Sequence, residues 1–513
     1  MTNAHSHPFS GWQIRSSLGY FTVGKIASGL IGLVLLVVLV RLLPATEYGA
    51  YVIWVAIMEI TLLVSNAGAY PIAQRYITEA RLPPNLPWLP RLVWSSLTYR
   101  LLTLAVAAAT LLIFAQNLLD AIGLIVFSEL FLLYVFAIVF EGAARYIDLI
   151  FDALLQQARS QFCILVRSGT RLAVVLSLLY MKGTLTLQDV IWMEVIAALF
   201  GFSISTLILF FYLRRVCAGL KINSNKGPFE LKRVFVFSLP LYVAQCMSQL
   251  YSPDAVKMVI SRFLGVLEAA AFGLAHAFGL VLQRYLPAQL LIGLIRPVLV
   301  ARRAGGGSND ELVHIGNLIL KVNHFFLIPV IAFFGIRGFE FVSAVSNGKH
   351  LAAGHLLFWL SGLLLLQGLH TILSAVAIAL EDRRAVLAGT FAAAPGILVG
   401  IALSDNFGAN GMVAGLWISE LLWCSTAWWC LRNAKFHFRI NWGSWLKLAA
   451  CGGCAAWVAN WSGAFTDNSL LDLGLCAFIL GLTYLVVCSL LKPFSAEERS
   501  SINRLLPWPM FFF

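Results

Sequence analysis

Apolar stretches long enough to span a bilayer fill this chain from Gly19 to Leu491, separated by short loops whose Lys and Arg content alternates between rich and poor. A hydrocarbon core of about 30 Å takes roughly 20 apolar residues per helix, and 60% hydrophobic against 12% charged residues supplies many such helices. No soluble domain of any size fits into what remains. Lipid offers no partner to a backbone N–H or C=O, so a spanning chain must be helical or form a closed barrel. The runs here lack the alternation of barrel strands. The expectation is an all-α, polytopic integral membrane protein of about 14 transmembrane helices.

The spans are expected at 19–43, 48–70, 92–115, 126–156, 162–181 and 189–213, then at 234–260, 267–295, 312–336, 352–380, 385–404, 410–431, 446–464 and 470–491. Short loops rich in Lys and Arg stay in the cytoplasm. Arg15, Arg75, Arg81, Arg91, Arg159, the basic segment 214–233, Arg296, Arg302, Arg303, Arg383, Arg384, Arg432, Lys435, Arg439, Lys447, Lys492, Arg499 and Arg504 fall on one side, against Arg41, Lys182, Arg262, Arg337 and Lys349 on the other. Both termini are therefore expected to be cytoplasmic. The formal charge of +12 follows from this topology, and no nucleic-acid-binding module is visible. The polar start, Met1 to Ser17, precedes a span too long for a signal-peptide core and is expected to be retained. The nine Cys are scattered and imply no disulfide framework. Cys451 and Cys454 form a CGGC run without a nearby His, read as close helix packing through small residues and not as a metal or redox site.

An internal repeat is legible. Val40-Arg41-Leu42-Leu43 with Glu47, Gly49 and Tyr51 lies over Ser261-Arg262-Phe263-Leu264 with Glu268, Ala270 and Phe272, and Arg75 falls on Arg296. Because the offset contains an even number of spans, the copies share one orientation. The expected organisation is a cytoplasmic segment at 1–18, a six-helix lobe at 19–213, a basic cytoplasmic loop at 214–233, a second six-helix lobe at 234–431, two extra helices within 432–491 and a cytoplasmic tail at 492–513.

Charges inside spans are costly and face a cavity or a partner. Glu141, Arg145, Asp148 and Asp152 recur at spacings of four, three and four, which puts them on one stripe of the fourth helix. An antiparallel return about a turn near Arg159 and Ser160 sets Asp152 opposite Arg167 and Asp148 opposite Arg171, a structural ladder to be weighed against a direct role in transport. Glu141 and Arg145 already form a favourable i, i+4 pair. Asp254 and Lys257 neutralise each other within the seventh helix, which Pro240, Pro253 and Gly265 would allow to bend. Lys25, Arg284 and Lys321 have no carboxylate within one helical turn.

The stretches VRLLPATEYGAY and SNAGAYPIAQRY, then SLPLYVAQCMSQLYSPDAVKMVISRFLG, AAAFGLAHAFG and RPVLVARR, resemble bacterial polysaccharide and O-antigen flippases of the multidrug, oligosaccharidyl-lipid and polysaccharide exporter superfamily. The likeness covers residues 15 to about 430 and rests on Gly, Pro and turn residues. It implies two lobes around a central cavity, alternating access, a bacterial inner-membrane location and an undecaprenyl-pyrophosphate-linked oligosaccharide as cargo, with a polysaccharide polymerase and a chain-length regulator as partners. Under that resemblance Lys25, Arg284, Lys321 and Arg145 are the candidate cavity cations, since charge-assisted hydrogen bonds would offset desolvation of a pyrophosphate. Asp254, Lys257, Glu59 and His276 are candidates for gating or for coupling to H⁺ or Na⁺. No other cofactor is expected. There is no P-loop, nucleophile elbow, HExxH or DxD-like cluster in an extramembrane loop, so no catalytic residue is assigned. Two other readings stay open: a multidrug or cation exporter, which would favour a carboxylate-dominated cavity, and a membrane glycosyltransferase or polymerase, which would need a larger outer loop.

Overall fold

A computed structural model describes residues 11–80, 86–216, 242–289, 309–380, 382–433, 436–438, 441–461, 469–505 and 512–513. Most of the 214–233 loop, Pro240, and the loop residues Arg81, Arg296, Arg302, Arg303, Lys435 and Arg439 lie outside the described residues. Those described are overwhelmingly helical and include no strand. Eleven helices among them are long and apolar enough to cross a membrane, so this is a multi-pass membrane protein. The chain divides into two compact units, Met1–Gln249 and Leu250–Phe513.

The first unit contains α1 (Gly11–Leu42), α2 (Ala45–Val64), α3 (Leu89–Ile113), α4 (Ser128–Ala153), α5 (Gln157–Lys182) and α6 (Leu187–Val216). Its turns are written in local chemistry. Pro44 has no N–H to give, and it separates α1 from α2 with φ −55°. Gly183 closes α5 at φ +73°, where a side chain would be strained. The N-terminus of α6 is then satisfied twice: the Thr186 N–H donates to Asp189 at 3.1 Å, and Glu47 from α2 accepts from the Leu187 N–H. Helix α4 packs against α2, α3, α5 and α6, burying Phe131, Tyr134, Tyr146 and Phe151. Arg100 on α3 is fully buried and serves as a cap for α2. Its guanidinium donates to the Leu62 carbonyl at 2.9 Å and to Ser65 Oγ at 3.2 Å, at the end where the helix dipole favours a cation.

The second unit contains α7 (Pro253–Leu264), α8 (Val266–Tyr285), α9 (Asn309–Ser346), α10 (Ala353–Ala379), α11 (Arg383–Ala393), α12 (Pro395–Phe407), α13 (Ala409–Asn433), α14 (Trp442–Trp461), α15 (Ser469–Leu491) and α16 (Ala496–Leu505). The single span expected at 234–260 is interrupted. Residues 242–249 are helical, and α7 starts afresh at Pro253 with Ser252 Oγ accepting from the Ala255 N–H at 3.2 Å. Pro253 is thus a helix start, where its missing N–H costs nothing, and not a bend within one helix. Likewise Gly265, at φ +95°, is the joint between α7 and α8. The matched residues of the repeat hold equivalent places: Arg41 and Arg262 lie in the last turns of α1 and α7, Glu47 and Glu268 in the first turns of α2 and α8.

Small residues let helices of this unit touch. A Cβ on Gly415 of α13 would lie 2.6 Å from the Gly400 Cα of α12, and one on Gly452 would lie 2.4 Å from Ile328 Cγ2 of α9. Within the CGGC run Cys451 and Gly452 thus form a packing surface, while Gly453 and Cys454 face away from it. The tail beyond Leu491 carries α16, whose Glu498 reaches the interior.

Candidate functional site

In the first unit α2, α4, α5 and α6 bring seven charged side chains and a tyrosine into one network. Glu141, only 3% exposed, is its hub. It accepts from Arg145 at 2.8 Å and from Arg171 at 2.9 Å, with Arg167 at 3.5 Å. Arg145 continues to Glu59 at 2.9 Å, Arg171 to Glu194 at 2.9 Å, and Glu194 accepts from the Tyr51 hydroxyl at 2.8 Å. Arg167 reaches Asp148 at 2.6 Å. Arg167 fits because Gly201 of α6 leaves room: a Cβ there would sit 2.1 Å from Arg167 Cγ. Glu141, Asp148, Arg167 and Glu194 are buried, Arg171 and Tyr51 are half-buried, and the network is most open at Glu59 and Arg145, whose side chains are about a third exposed.

The stripe on α4 is as expected, but its pairing is not. Asp148 meets Arg167 instead of Arg171, Arg171 meets Glu141 and Glu194, and Asp152 sits beside Ser160 with its Oδ1 unpartnered. The cause is the turn. Helix α4 ends at Ala153 and α5 begins at Gln157, so the return comes earlier than Arg159 and Ser160, and the facing register shifts by about one helical turn. Glu194 and Tyr51 had no signal in the sequence beyond being polar groups in apolar spans.

The candidate cations are placed differently from one another. Arg145 is paired with Glu59 and Glu141. Lys321 on α9 is 2% exposed and lies 2.7 Å from both Glu498 oxygens, with the Phe494 ring 5.5 Å from its ammonium. Lys25 is half-buried on α1, beside the point where Gly24 abuts Gln161 of α5. Arg284, at the end of α8, is exposed and forms no hydrogen bond or ion pair with any described residue. Asp254 and Lys257 pair at 2.7 Å in the first turns of α7. His276 stacks on Phe272 with 6.2 Å between ring centres, its Nδ1 buried and unpartnered.

Beyond Arg284 the second unit carries polar groups that bridge its helices. Gln283 Nε2 donates to Gln367 Oε1 at 3.1 Å and Gln289 Nε2 to Thr371 Oγ1 at 3.1 Å. His370 Nδ1 lies 2.9 Å from Glu420. A cleft of about 640 Å³ between α9, α10 and α14 is lined by Ile328, Ile331, Phe358, Leu365, Leu446 and neighbouring apolar groups, with His324 and Trp445 at its wall. Among the described residues no group of His, Cys, Asp and Glu could hold a metal ion.

Solved structures similar to this chain include transporters and a flippase. One described as lipid II flippase MurJ in an inward closed conformation has 16% sequence identity and a TM-score of 0.65, with 92% of this chain and 98% of that one covered. An inward-facing multidrug resistance MATE family transporter of the MOP superfamily has 14% identity and a TM-score of 0.61, covering 82% and 94%. The MATE multidrug transporter DinF-BH has 16% identity and a TM-score of 0.59, covering 85% and 99%. At such identities the likeness is one of fold. No curated protein matches the chain in sequence. The family model of polysaccharide biosynthesis proteins matches residues 14–290, more than half of the sequence, and the chain belongs to that family.

Proposed function

We propose that the protein is a flippase that carries an undecaprenyl-pyrophosphate-linked oligosaccharide, an O-antigen or exopolysaccharide repeat unit, from the cytoplasmic to the outer leaflet of a bacterial inner membrane. Membership of the polysaccharide biosynthesis family is the observation that carries this reading. The fold supports it, since one of the similar structures is described as a lipid II flippase.

Three features of the chain agree with a cargo that is anionic, lipidic and polar at once. Arg284 offers an exposed guanidinium in an apolar unit, suited to bidentate contact with a pyrophosphate. Lys25 supplies a second cation on α1. The cleft between α9, α10 and α14, with about 640 Å³ of room and an almost wholly apolar lining, suits an isoprenoid segment. Both termini lie in the cytoplasm under this reading, a polymerase and a chain-length regulator receive the product, and H⁺ or Na⁺ drives the cycle. In the host, Arg284→Gln and Lys25→Gln should leave the protein inserted while lipid-linked glycan accumulates in the inner leaflet. Normal surface polysaccharide in both variants at wild-type protein levels would overturn the assignment.

A further inference from the structure

Helices α14 and α15 reach the rest of the second unit chiefly through α9. Helix α14 packs against α9 and α15, and α15 against α9 and α14, so the pair rides on one helix. The approach is closest at Gly452, where a Cβ would lie 2.4 Å from Ile328 Cγ2. Between α14 and α10 lies the apolar cleft, with Phe358 and Leu365 of α10 on one wall and Trp442, Leu446 and Ala456 of α14 on the other. A helical pair seated along one neighbour, with space at its side, can tilt about that neighbour as a rigid body.

The tail that follows α15 returns to α9 and fastens the pair a second time. Lys321 of α9 is 2% exposed and donates to both Glu498 oxygens of α16 at 2.7 Å. One turn further along α9, Phe325 packs with Phe494 and Phe513 of the tail and with Tyr484 of α15. Cys451, Cys476 and Cys488 are buried in the same cluster. The repeat shows a duty from which Lys321 is free. It is related to Arg100 by the offset that relates Arg41 to Arg262 and Glu47 to Glu268, and α8 spans the residues that match α2 under that same offset. Arg100 is spent within its own unit, on the end of α2. In the second unit the chain beyond α8 is tied to α9 by Asn323 instead, whose Oδ1 accepts from the Ala288 N–H at 3.2 Å. Lys321 is left to the tail.

We propose that the C-terminal tail is a latch: Glu498 on Lys321 holds the α14–α15 pair against α9, and its release lets the pair tilt away and widens the cleft. A buried ion pair adds little net stability over an apolar pair of the same volume, and its best-attested use is to fix one arrangement against another. The carboxylate is presented for this by α16 itself, since it also accepts from the Ser495 N–H at 2.7 Å. The latch deepens the reading above and rests on it in one respect. With an isoprenoid segment as the occupant of the cleft, the tail controls when that chain enters beside α14.

The native cysteines report on the latch. Cys451, Cys476 and Cys488 are buried where the pair meets α9, whereas Cys424 of α13 and Cys163 of α5 are buried elsewhere. Purified full-length protein in lipid nanodiscs is treated with the permeant reagent N-ethylmaleimide, and the rate at each cysteine is read by mass spectrometry. Glu498→Gln removes the charge while keeping a residue that serves the same capping position. It should speed the reaction of Cys451, Cys476 and Cys488 by about tenfold or more, the sign of a local opening, with Cys424 and Cys163 as protected as in wild type. Lys321→Met carries the same expectation if the first variant does not fold. Unchanged rates at the three cysteines overturn the latch, and so does a parallel rise at Cys424, which would make the ion pair part of the core of the unit. Undecaprenol, the chain without its pyrophosphate, should speed the same three reactions in wild type. Opening in the variants without any response to undecaprenol overturns the isoprenoid assignment of the cleft and leaves the latch standing.

Discussion

Lys321 and Glu498 meet inside the second unit, the ammonium 2.7 Å from both carboxylate oxygens, although one belongs to a transmembrane helix and the other to the C-terminal tail. Glu498 is held for this contact by its own helix start. Its carboxylate accepts from the Ser495 N–H at 2.7 Å while its N–H donates to Ser495 Oγ at 3.2 Å, a capping box. Phe325, one turn beyond Lys321, meets Phe494 edge-on and packs at a tilt against Phe513 and Tyr484, securing the same corner.

Removing one partner of this pair should leave a buried charge uncompensated. Glu498→Ala is expected to destabilise the protein by about 3–5 kcal/mol, read as a lowered unfolding midpoint in detergent. Replacing both groups, Lys321→Met/Glu498→Leu, should recover most of that stability. If the double variant folds to full yield but no longer transports, Lys321 is a cargo cation after all.

The network around Glu141 makes a prediction about register. Exchanging the charges of Asp148 and Arg167 should return folded yield lost in Asp148→Asn, whereas exchanging those of Asp148 and Arg171 should not, because Arg171 is bonded to Glu141 and Glu194. Folded yield by fluorescence-detected gel filtration separates the two outcomes. Rescue by the Arg171 exchange would restore the register in which the turn lies at Arg159.

Gly201→Val should act on the same network without touching a charge. Its side chain would occupy the space of Arg167 Cγ, forcing the guanidinium away from Asp148, so a loss of about 2–4 kcal/mol is expected. An unchanged unfolding midpoint would mean that Arg167 can reroute at no cost.

Reading these sites from sequence succeeded where the chemistry is local. The i, i+4 contact of Glu141 with Arg145 and the i, i+3 contact of Asp254 with Lys257 are both made, because helical spacing alone decides them. The multi-helix architecture was equally plain, since it follows from the length and polarity of each run. What failed depends on the third dimension. The Asp148 and Asp152 partners turn on where a three-residue connection reverses the chain, and a shift of one turn reassigns every rung. The partner of Lys321 lies 177 positions away, yet a signal was present: Ser495 and Glu498 have capping-box spacing, which marks a helix in the tail. The Gln283–Gln367 and Gln289–Thr371 bonds had no such mark, because single glutamines in apolar spans point nowhere until the helices are packed.

Topology offers an independent check on the proposed orientation. Single cysteines placed at Lys182 and Lys349 should react with an impermeant thiol reagent from outside intact cells, and one within 214–233 should not. Labelling of the 214–233 segment from outside would reverse the direction assigned to transport.

The central claim is that this protein moves a lipid-linked oligosaccharide, and vesicles test it most directly. Undecaprenyl-pyrophosphoryl-N-acetylglucosamine incorporated in liposomes with the purified protein can be scored by the fraction of sugar that an added, impermeant galactosyltransferase modifies over time. The account predicts that wild type exposes the inner-leaflet pool to the enzyme, while Arg284→Gln, reconstituted to the same density, leaves that pool untouched as in protein-free vesicles. No protein-dependent exposure, in vesicles where the same preparation expels a cationic dye, would contradict it and identify a drug exporter instead.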